Sequence, residues 1–437
     1  MKSKQERGLR ELYDDDPERA DAIVFGRRTE RGRRGFLKSA GLGAMAAAVG
    51  GAIPFARNLP GGIIPAAMAQ EMAMIDGKGP ITVLGDRPLN AETPAHLLDD
   101  AVTPNSLHFV RNNGLVPDMA TNMDANAWSL TIDGEVHNPM TITLGDLKGK
   151  FDTVTAQLQV ECGGNGRAGF NPPAGGNQWT VGAIGCAEYA GVRMRDVLNA
   201  AGLKDSAIYT GYHGNDVHLS GDTTKDVISR GAPIWKMMDP STILAFEMNG
   251  EPLPALHGYP VRIVCPGWPG STSGKWVRRI WVRDQVHDGA KMTGTSYRTP
   301  VYGVEPGAEI PDEDWGIIQS MPVKSIISFP EDGATLPVGE RTVEVRGHAW
   351  AGDNDVTSME ISIDFGATWT AAELAPPANP YAWQNWRTHV RFPTKGYYEV
   401  WARATDQTGV GQPFAVAWNS KGYLNNQMHR VAVHVAA

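Results

Sequence analysis

Val160-Glu161-Cys162-Gly163-Gly164-Asn165-Gly166-Arg167 is the most informative stretch of the sequence. It reads as a short strand that ends in a cysteine inside a glycine-rich turn, and glycines let a backbone approach a bulky ligand closely. A nearby arginine, Arg167, would help to keep the thiol of Cys162 ionised, and the thiolate is the form that binds metals. A buried cysteine that only packs in the core is the competing interpretation. The motif marks a candidate metal ligand without deciding between the two.

The stretch resembles the molybdenum-binding loop of the sulfite oxidase family, in which Glu or Gln, Cys, Ala or Gly, Gly and Asn open the motif and an arginine closes it. The resemblance continues in the family's order from about Leu107 to the C-terminus. Further matching segments are Gln178–Ile184, Tyr189–Leu198, Ala245–Pro254, His257–Arg262, Val345–Gly352, Ile361–Trp369 and Trp418–Tyr423. The resemblance implies a mixed α+β molybdopterin domain followed by an immunoglobulin-like β-sandwich that serves as a dimerisation domain.

The resemblance also implies the ligands of a cofactor, molybdenum with one molybdopterin. Cys162 would be the protein ligand of the metal, and soft thiolate sulfur suits that coordination. The residues that would grip the pterin and its phosphate, which needs charged donors when buried, are Asn112, His257, Arg262 and Lys275. Each has an ordinary structural alternative, such as a turn asparagine or a surface lysine.

A second implied group lines an anion pocket above the metal. Its members are Arg111, Arg167, Trp179 and Tyr297, and two arginines with a phenol suit a small oxyanion. Lys421 stands where animal members of the family carry an arginine that reaches this pocket. Lysine lacks the planar fork of arginine, so a surface position is as compatible with the sequence as a pocket role.

Residues 1–69 resemble a twin-arginine export signal. Arg33-Arg34-Gly35-Phe36-Leu37-Lys38 is followed by a Gly/Ala-rich run over 39–56 and by the small-residue cleavage pattern Ala67-Met68-Ala69. The apolar run is short and is broken by Pro54 and Arg57, which argues against a membrane anchor. This route carries folded proteins, so the signal favours a cofactor inserted before export and a periplasmic mature protein without a membrane span.

Charge and cysteine content narrow the function classes. The net charge is -8, and because residues 1–69 hold 12 Lys and Arg against 8 Asp and Glu, the remainder carries 28 against 40. Such an acidic body argues against nucleic acid as a partner and favours a protein partner with a basic patch.

Three scattered cysteines fit no disulfide framework, so Cys186 and Cys265 are interpreted as structural. The chain has no Cys-x-x-Cys-His, so covalent c-type haem is not expected in it.

The pattern of apolar residues predicts two domains after the signal, 70–320 and 321–437. The first mixes strand-like runs such as Tyr259–Cys265 with short helical ones such as Arg193–Ala201, which is typical of an α+β domain. The second alternates strands with turn residues, as an immunoglobulin-type sandwich does. Its predicted strands are Lys324–Phe329, Thr342–Trp350, Ser358–Ser362, Tyr397–Ala404 and Arg430–Val435.

The family resemblance implies oxidation of sulfite to sulfate, with electrons passed one at a time to a separate periplasmic c-type cytochrome, and a homodimer. Two alternatives within the superfamily are a sulfane-sulfur dehydrogenase subunit and a sulfoxide reductase. A metal-free periplasmic binding protein is the alternative from a different class, since a fold alone does not imply function. Together, Cys162, Arg167, His257, Arg262 and Lys275 argue against that last alternative.

Overall fold

The computed structural model describes residues 75–436, so the predicted export signal lies outside the described residues. In this part of the chain the strands, in order, are β1 Thr82–Asp86, β2 Leu89–Glu92, β3 Val110–Arg111, β4 Leu130–Gly134, β5 Met140–Ile142, β6 Thr153–Glu161, β7 Ile184–Arg193, β8 Tyr209–Gly214, β9 Ile243–Met248, β10 Glu251–Pro252, β11 Arg262–Val264, β12 Val277–Arg283, β13 Arg298–Pro300, β14 Trp315–Ile317, β15 Lys324–Phe329, β16 Ala334–Leu336, β17 Thr342–Trp350, β18 Val356–Ser362, β19 Thr370–Ala371, β20 Glu373–Leu374, β21 Gln384–Arg391, β22 Gly396–Asp406 and β23 His429–Val435. The α-helices are α1 Asp118–Thr121, α2 Leu144–Lys150, α3 Met194–Ala201 and α4 Ile234–Met237. Between residues 75 and 436, no helix is long and apolar enough to cross a bilayer.

Before residue 321 the described residues form four sheets, of which one is the two-stranded pair β13-β14 and the other three supply residues to one region. A small sheet has the order β1-β2-β3, a five-stranded sheet runs β10-β9-β7-β6 with β11 also on β9, and a four-stranded sheet runs β5-β4-β12-β8. Arg111 is the last residue of β3, Cys162 directly follows β6, and Arg262 is the first residue of β11. Strand topology therefore brings together residues that lie up to 151 positions apart in the sequence.

The short helices of this half follow from local sequence rules. Thr143 and Asp146 form a capping box that starts α2, since each side chain bonds the other residue's backbone N–H. Helix α3 buries Met194, Val197, Leu198 and Ala201, an i, i+3, i+4, i+7 stripe, against the sheets. Gly202 ends it at positive φ. The predicted helix Arg193–Ala201 coincides with α3 except that Arg193 is its N-cap.

The C-terminal part is a sandwich of two sheets, with strand orders β15-β17-β21-β20 and β16-β23-β22-β18-β19. Alternating inward residues fill its core; on β23 these are Val431, Val433 and Val435. The predicted strands Lys324–Phe329 and Thr342–Trp350 coincide with β15 and β17. The α+β part followed by a β-sandwich agrees with the predicted fold class.

Two strand predictions need correction. The strand predicted over Tyr259–Cys265 is only Arg262–Val264, because Pro260 and Pro266 have no N–H to give to a ladder. Strand β21 was not predicted, since its inward positions Gln384, Trp386 and Val390 include only two apolar residues among polar ones. Buried and exposed residues alternate along this strand in the structure, but apolar and polar residues alternate only weakly in its sequence.

Candidate functional site

The cysteine loop leaves the end of β6 and turns back beneath β7. Cys162 is 7% exposed, and its backbone N–H donates to the carbonyl of Ala183 at 2.9 Å. Gly166 has φ +91°, and a side chain there would also collide with Asn425, so the turn requires glycine. The loop is thus fixed by backbone hydrogen bonds and close packing, which places Cys162 at one wall of a cavity.

That cavity has an empty volume of about 720 Å³, which includes open solvent at its mouth. Six of the nine predicted site residues line it: Arg111, Cys162, His257, Arg262, Lys275 and Tyr297. The other three are not part of the lining: Asn112 and Trp179 contact the lining residues Lys275 and Phe109, and Arg167 contacts Tyr423. The structure therefore brings together residues that the sequence places in four separate segments.

Arg111 and Tyr297 form the first polar group of the cavity. The Arg111 Nη2 donates to Asn113 Oδ1 at 2.9 Å and lies 3.4 Å from the Tyr297 hydroxyl, which itself donates to Asn113 Oδ1 at 3.2 Å. Burial tends to lower the pKa of Arg111, but Tyr297 and Cys162 raise it by more, so the guanidinium stays charged. A charged fork and a phenol thus face the same space as the Cys162 thiol.

Arg262 and Lys275 form the second polar group. Arg262 is 3% exposed and donates to the carbonyls of His257 at 3.2 Å and Ser273 at 3.1 Å. Lys275 donates to the Leu256 carbonyl at 2.8 Å and makes a short contact with Asn112 Oδ1. Burial, followed by the charge of Arg262, holds the pKa of Lys275 well below its usual range. All these acceptors are neutral oxygens, so neither side chain is in an ion pair, and the carboxylate of Asp216 on the same lining only partly opposes the effect of burial on the pKa of Lys275.

His257 belongs to the same group and has a partner that sequence reasoning did not identify. The Lys78 ammonium lies 2.6 Å from His257 Nε2 and 2.8 Å from the His108 carbonyl. Burial lowers the pKa of Lys78 to about 7, and burial together with Lys78 holds the pKa of His257 well below its usual range. His257 is therefore a neutral imidazole at pH 7.

Arg167 connects the cysteine loop to the C-terminal segment. Its Nε donates to the Lys421 carbonyl at 3.0 Å and its Nη1 to the Asn177 carbonyl at 3.0 Å, while its guanidinium lies 5.0 Å from the Tyr423 ring. Tyr423 in turn stacks on Tyr297 with ring centroids 5.8 Å apart. Arg167 thus reaches the cavity through two aromatic rings, and the contact described for Lys421 is made by its backbone.

Trp179 is fully buried in the hydrophobic cluster that contains Cys162 and meets Phe109 edge to face at 6.4 Å. Its indole N–H is a buried donor that finds no acceptor in residues 75–436. This placement supports the wall of the cavity from behind. Its predicted role in the anion pocket stays a prediction.

The other two cysteines lie in apolar surroundings. Cys186 and Cys265 are fully buried, and burial raises the pKa of their thiols to about 12 and about 11. Neither lines the cavity. Of the three free cysteines, Cys162 is the one placed to meet a ligand.

Glu161, the residue before Cys162, ties the loop to the sandwich. Its carboxylate is 2% exposed and accepts from Lys324 Nζ at 2.6 Å, Trp350 Nε1 at 2.9 Å and Asn165 Nδ2 at 3.0 Å. Lys324 and Trp350 belong to β15 and β17 of the sandwich. The C-terminal part therefore fixes the position of the cysteine loop through one buried ion pair.

Sequence reasoning missed several lining residues: His108, Asn113, Tyr212 and Asp216. Asn113 directly follows Arg111 and Asn112, but nothing in the sequence assigned it a role of its own. Asp216 lies in a polar loop, and burial raises the pKa of its carboxyl to about 6. Only the folded chain shows that these positions share one cavity.

The residues around the cavity fit a molybdenum–molybdopterin group. Arg262 is buried and Lys275 is half-buried, and neither forms an ion pair with a carboxylate in the part of the chain that the structure describes. Buried charge without a counter-ion is costly, so a ligand phosphate would supply the missing anion. The thiol of Cys162 on the same lining offers the soft ligand that molybdenum takes.

Two family models match the chain. The first is described as an oxidoreductase molybdopterin binding domain and covers residues 115–291, and the second as a Mo-co oxidoreductase dimerisation domain and covers residues 316–436. Together they span both halves described above.

Curated relatives match over most of the chain. The sulfite oxidase of Gallus gallus is 33% identical over 365 residues, which is 80% of this chain and 77% of the relative. The mitochondrial sulfite oxidase of Rattus norvegicus is 33% identical over 374 residues, 81% of this chain and 66% of the relative, so the chain spans slightly under two thirds of that protein. Nitrate reductase [NADH] 1 of Oryza sativa subsp. japonica is 31% identical over 384 residues, which is 81% of this chain and 41% of the relative.

A solved structure is also similar. The sulfane dehydrogenase SoxCD from Paracoccus pantotrophus matches with a TM-score of 0.67 and 26% identity, covering 89% of this chain and 100% of that chain.

Proposed function

The chain belongs to the sulfite oxidase family of molybdenum oxidoreductases, and from that premise we propose that it oxidises sulfite to sulfate and passes the electrons to an external c-type cytochrome. The observation that carries the proposal is the placement of Cys162, Arg111 and Tyr297 on the lining of one cavity. A thiolate ligand beside a cation and a phenol suits a small oxyanion substrate.

Two groups of lining residues would hold the cofactor. Cys162 would bind the molybdenum, while Arg262 and Lys275 would hold the phosphate, with His257 and Asn112 completing the grip. When bound, the group supplies two-electron oxidation with oxygen transfer, which converts sulfite and water into sulfate, two protons and two electrons.

The protein's own residues bind and orient the substrate. Arg111 would hold one sulfite oxygen by a charge-assisted hydrogen bond, and the Tyr297 hydroxyl would donate a second one. Arg167 would act through Tyr423, whose ring stacks on Tyr297 and keeps the phenol in place. Trp179 and Phe109 would shield the site from water.

Single electrons would leave to a periplasmic c-type cytochrome, which would dock transiently on the acidic protein. After residue 69 the sequence has 40 Asp and Glu but only 28 Lys and Arg. This negative charge would attract a partner with a basic patch and make the association sensitive to salt. Export by the twin-arginine route would place both proteins in the same compartment. We also propose a homodimer, in keeping with the description of the family model that matches residues 316–436.

The experiment is sulfite-dependent reduction of cytochrome c by purified, molybdenum-loaded protein, measured beside thiosulfate as an alternative electron donor. Reduction of methionine sulfoxide is followed separately, as oxidation of a reduced viologen dye that supplies the two electrons. We expect cytochrome c reduction with sulfite and no turnover of the other two compounds. Turnover of a sulfane substrate alone would favour the alternative to which the likeness with sulfane dehydrogenase points. Absence of metal after expression in a cofactor-competent host would favour a binding protein.

A further inference from the structure

Asn113 Oδ1 is the meeting point of three donors. Arg111 Nη2 lies 2.9 Å away, Lys291 Nζ 2.9 Å and the Tyr297 hydroxyl 3.2 Å. An amide oxygen has two lone pairs, so it cannot satisfy three donors fully. At this point of the cavity wall the protein therefore offers more hydrogen-bond donors than its own acceptor can use.

Lys291 is held in this place by an unusual backbone. Its φ is +62°, and Tyr297 has φ +53°, both in the left-handed region that side chains other than glycine rarely adopt. Such conformations persist where the surroundings enforce them, often at ligand sites. Both residues that bond Asn113 from this loop thus share the same strained conformation.

Lys291 forms no ion pair with a carboxylate in residues 75–436. Burial lowers the pKa of its ammonium, while Tyr297 and the carboxylate of Asp216, which also lines the cavity, partly oppose that effect. A third cation, Arg230, lies 5.0 Å from the Tyr297 ring, is fully buried, and leaves its Nε and Nη2 without a partner in the same residues. Three cations and one carboxylate therefore lie around this part of the cavity, an excess of positive charge that suits a dianion better than a neutral ligand.

We propose that Lys291 is an anion-binding residue of the substrate pocket and makes the site prefer dianionic oxyanions to neutral substrates. Lys291 and Arg111 bind the anion from two sides of Asn113, and the Tyr297 hydroxyl donates to it as well. This assignment rests on the proposed function for the identity of the substrate, but not for the presence of an anion site.

The test compares Lys291→Met and Lys291→Arg in molybdenum-loaded protein. Methionine keeps the unbranched stem, so the left-handed backbone is no more strained, while arginine restores the charge. Lys225→Met is the matched control, because Lys225 is 62% exposed and pairs only with Asp222 in the structure. Each variant is measured for the KM and kcat of sulfite oxidation and, by calorimetry, for the Kd of inorganic sulfate. A thermal unfolding scan checks that each one is folded.

Lys291→Met should raise both the KM for sulfite and the Kd for sulfate about tenfold, the contribution of one charge-assisted hydrogen bond, with kcat changed less than about threefold. Lys291→Arg should recover most of both constants, and Lys225→Met should leave them unchanged. An unchanged KM and Kd in Lys291→Met, or a fall in kcat alone, would overturn the proposal. Sulfate binding that depends on Lys291 in a protein that does not oxidise sulfite would instead overturn the proposed function and leave the anion site standing.

Discussion

The cavity and the sandwich handle charge in opposite ways. On the sandwich, Arg387 pairs with Glu373 and Arg403 with Glu360, all with side chains about a third or more exposed. In the cavity, Arg262 is buried, Lys275 is half-buried, and both bond only neutral oxygens among residues 75–436. Surface pairs stabilise a fold weakly, whereas buried unpaired cations destabilise it unless a ligand compensates. This difference distinguishes charged residues that stabilise the fold from charged residues that would bind a ligand.

Loss of the metal ligand should have the largest effect. Cys162→Ser should lower sulfite oxidation more than about a hundredfold, beyond the effect of changing a supporting residue, because serine lacks the thiolate. Steady-state cytochrome c reduction measures this loss, and circular dichroism should show an unchanged fold. Cys186→Ser is the control and should keep its activity, since that thiol is buried away from the cavity. Equal losses in both variants would mean that cysteine packing, not ligation, matters.

Breaking the link between the two regions should cost the most stability. Lys324→Met leaves the buried Glu161 carboxylate without its cation, which should lower the free energy of unfolding by about 3 to 5 kcal/mol. Urea denaturation of the whole chain measures it. Adding Glu161→Gln to Lys324→Met should recover part of the loss, since the unpaired charge is then removed. A loss below 1 kcal/mol would show that Glu161 does not depend on the sandwich.

A buried histidine should make the sandwich sensitive to acid. His348 is 2% exposed, its ring stacks 3.9 Å from that of Trp383, and burial lowers its pKa to about 4. In the unfolded chain the pKa of this histidine is about 6.5, so as the pH falls the unfolded state binds a proton before the folded state does. The free energy of unfolding therefore decreases between about pH 6.5 and pH 4, by up to about 3 kcal/mol. Unfolding free energies of wild type and His348→Gln across this window should show a shallower slope in the variant. Parallel slopes would contradict the assignment.

The smallest effect is expected at a paired surface charge. Arg387→Ala removes an ion pair whose side chains are 63% and 68% exposed, so the free energy of unfolding should stay the same within the error of the measurement. Urea or thermal unfolding of this variant gives the loss of stability for an exposed ion pair, with which the loss for the buried Lys324–Glu161 pair is compared. A cost similar to that of Lys324→Met would erase the distinction between the two regions.

The family, the fold class and the order of the two parts followed from the sequence, and the comparisons confirm them. Strands β15 and β17 were predictable because apolar residues and turn residues mark them clearly. Strand β21 was not, because its inward side includes a glutamine. The boundaries at 69 and 320, the export signal and the periplasmic location stay predictions.

Within the site, the sequence indicated residues that belong to recognisable segments, such as Cys162 and Arg262. It could not indicate Lys78, Lys291 or Asp216, since each acts through contacts between distant segments. Nor could it show that Arg167 reaches Tyr297 through Tyr423. Partners across more than a hundred residues are decided by the fold, not by local pattern.

The most direct test of the central claim is X-ray absorption at the molybdenum edge of the purified protein and of Cys162→Ser. One molybdopterin and Cys162 together predict three sulfur ligands to the metal in the wild type and two in the variant. Two sulfur ligands in the wild type, or an unchanged sulfur count in the variant, would contradict the assignment of Cys162 as the metal ligand.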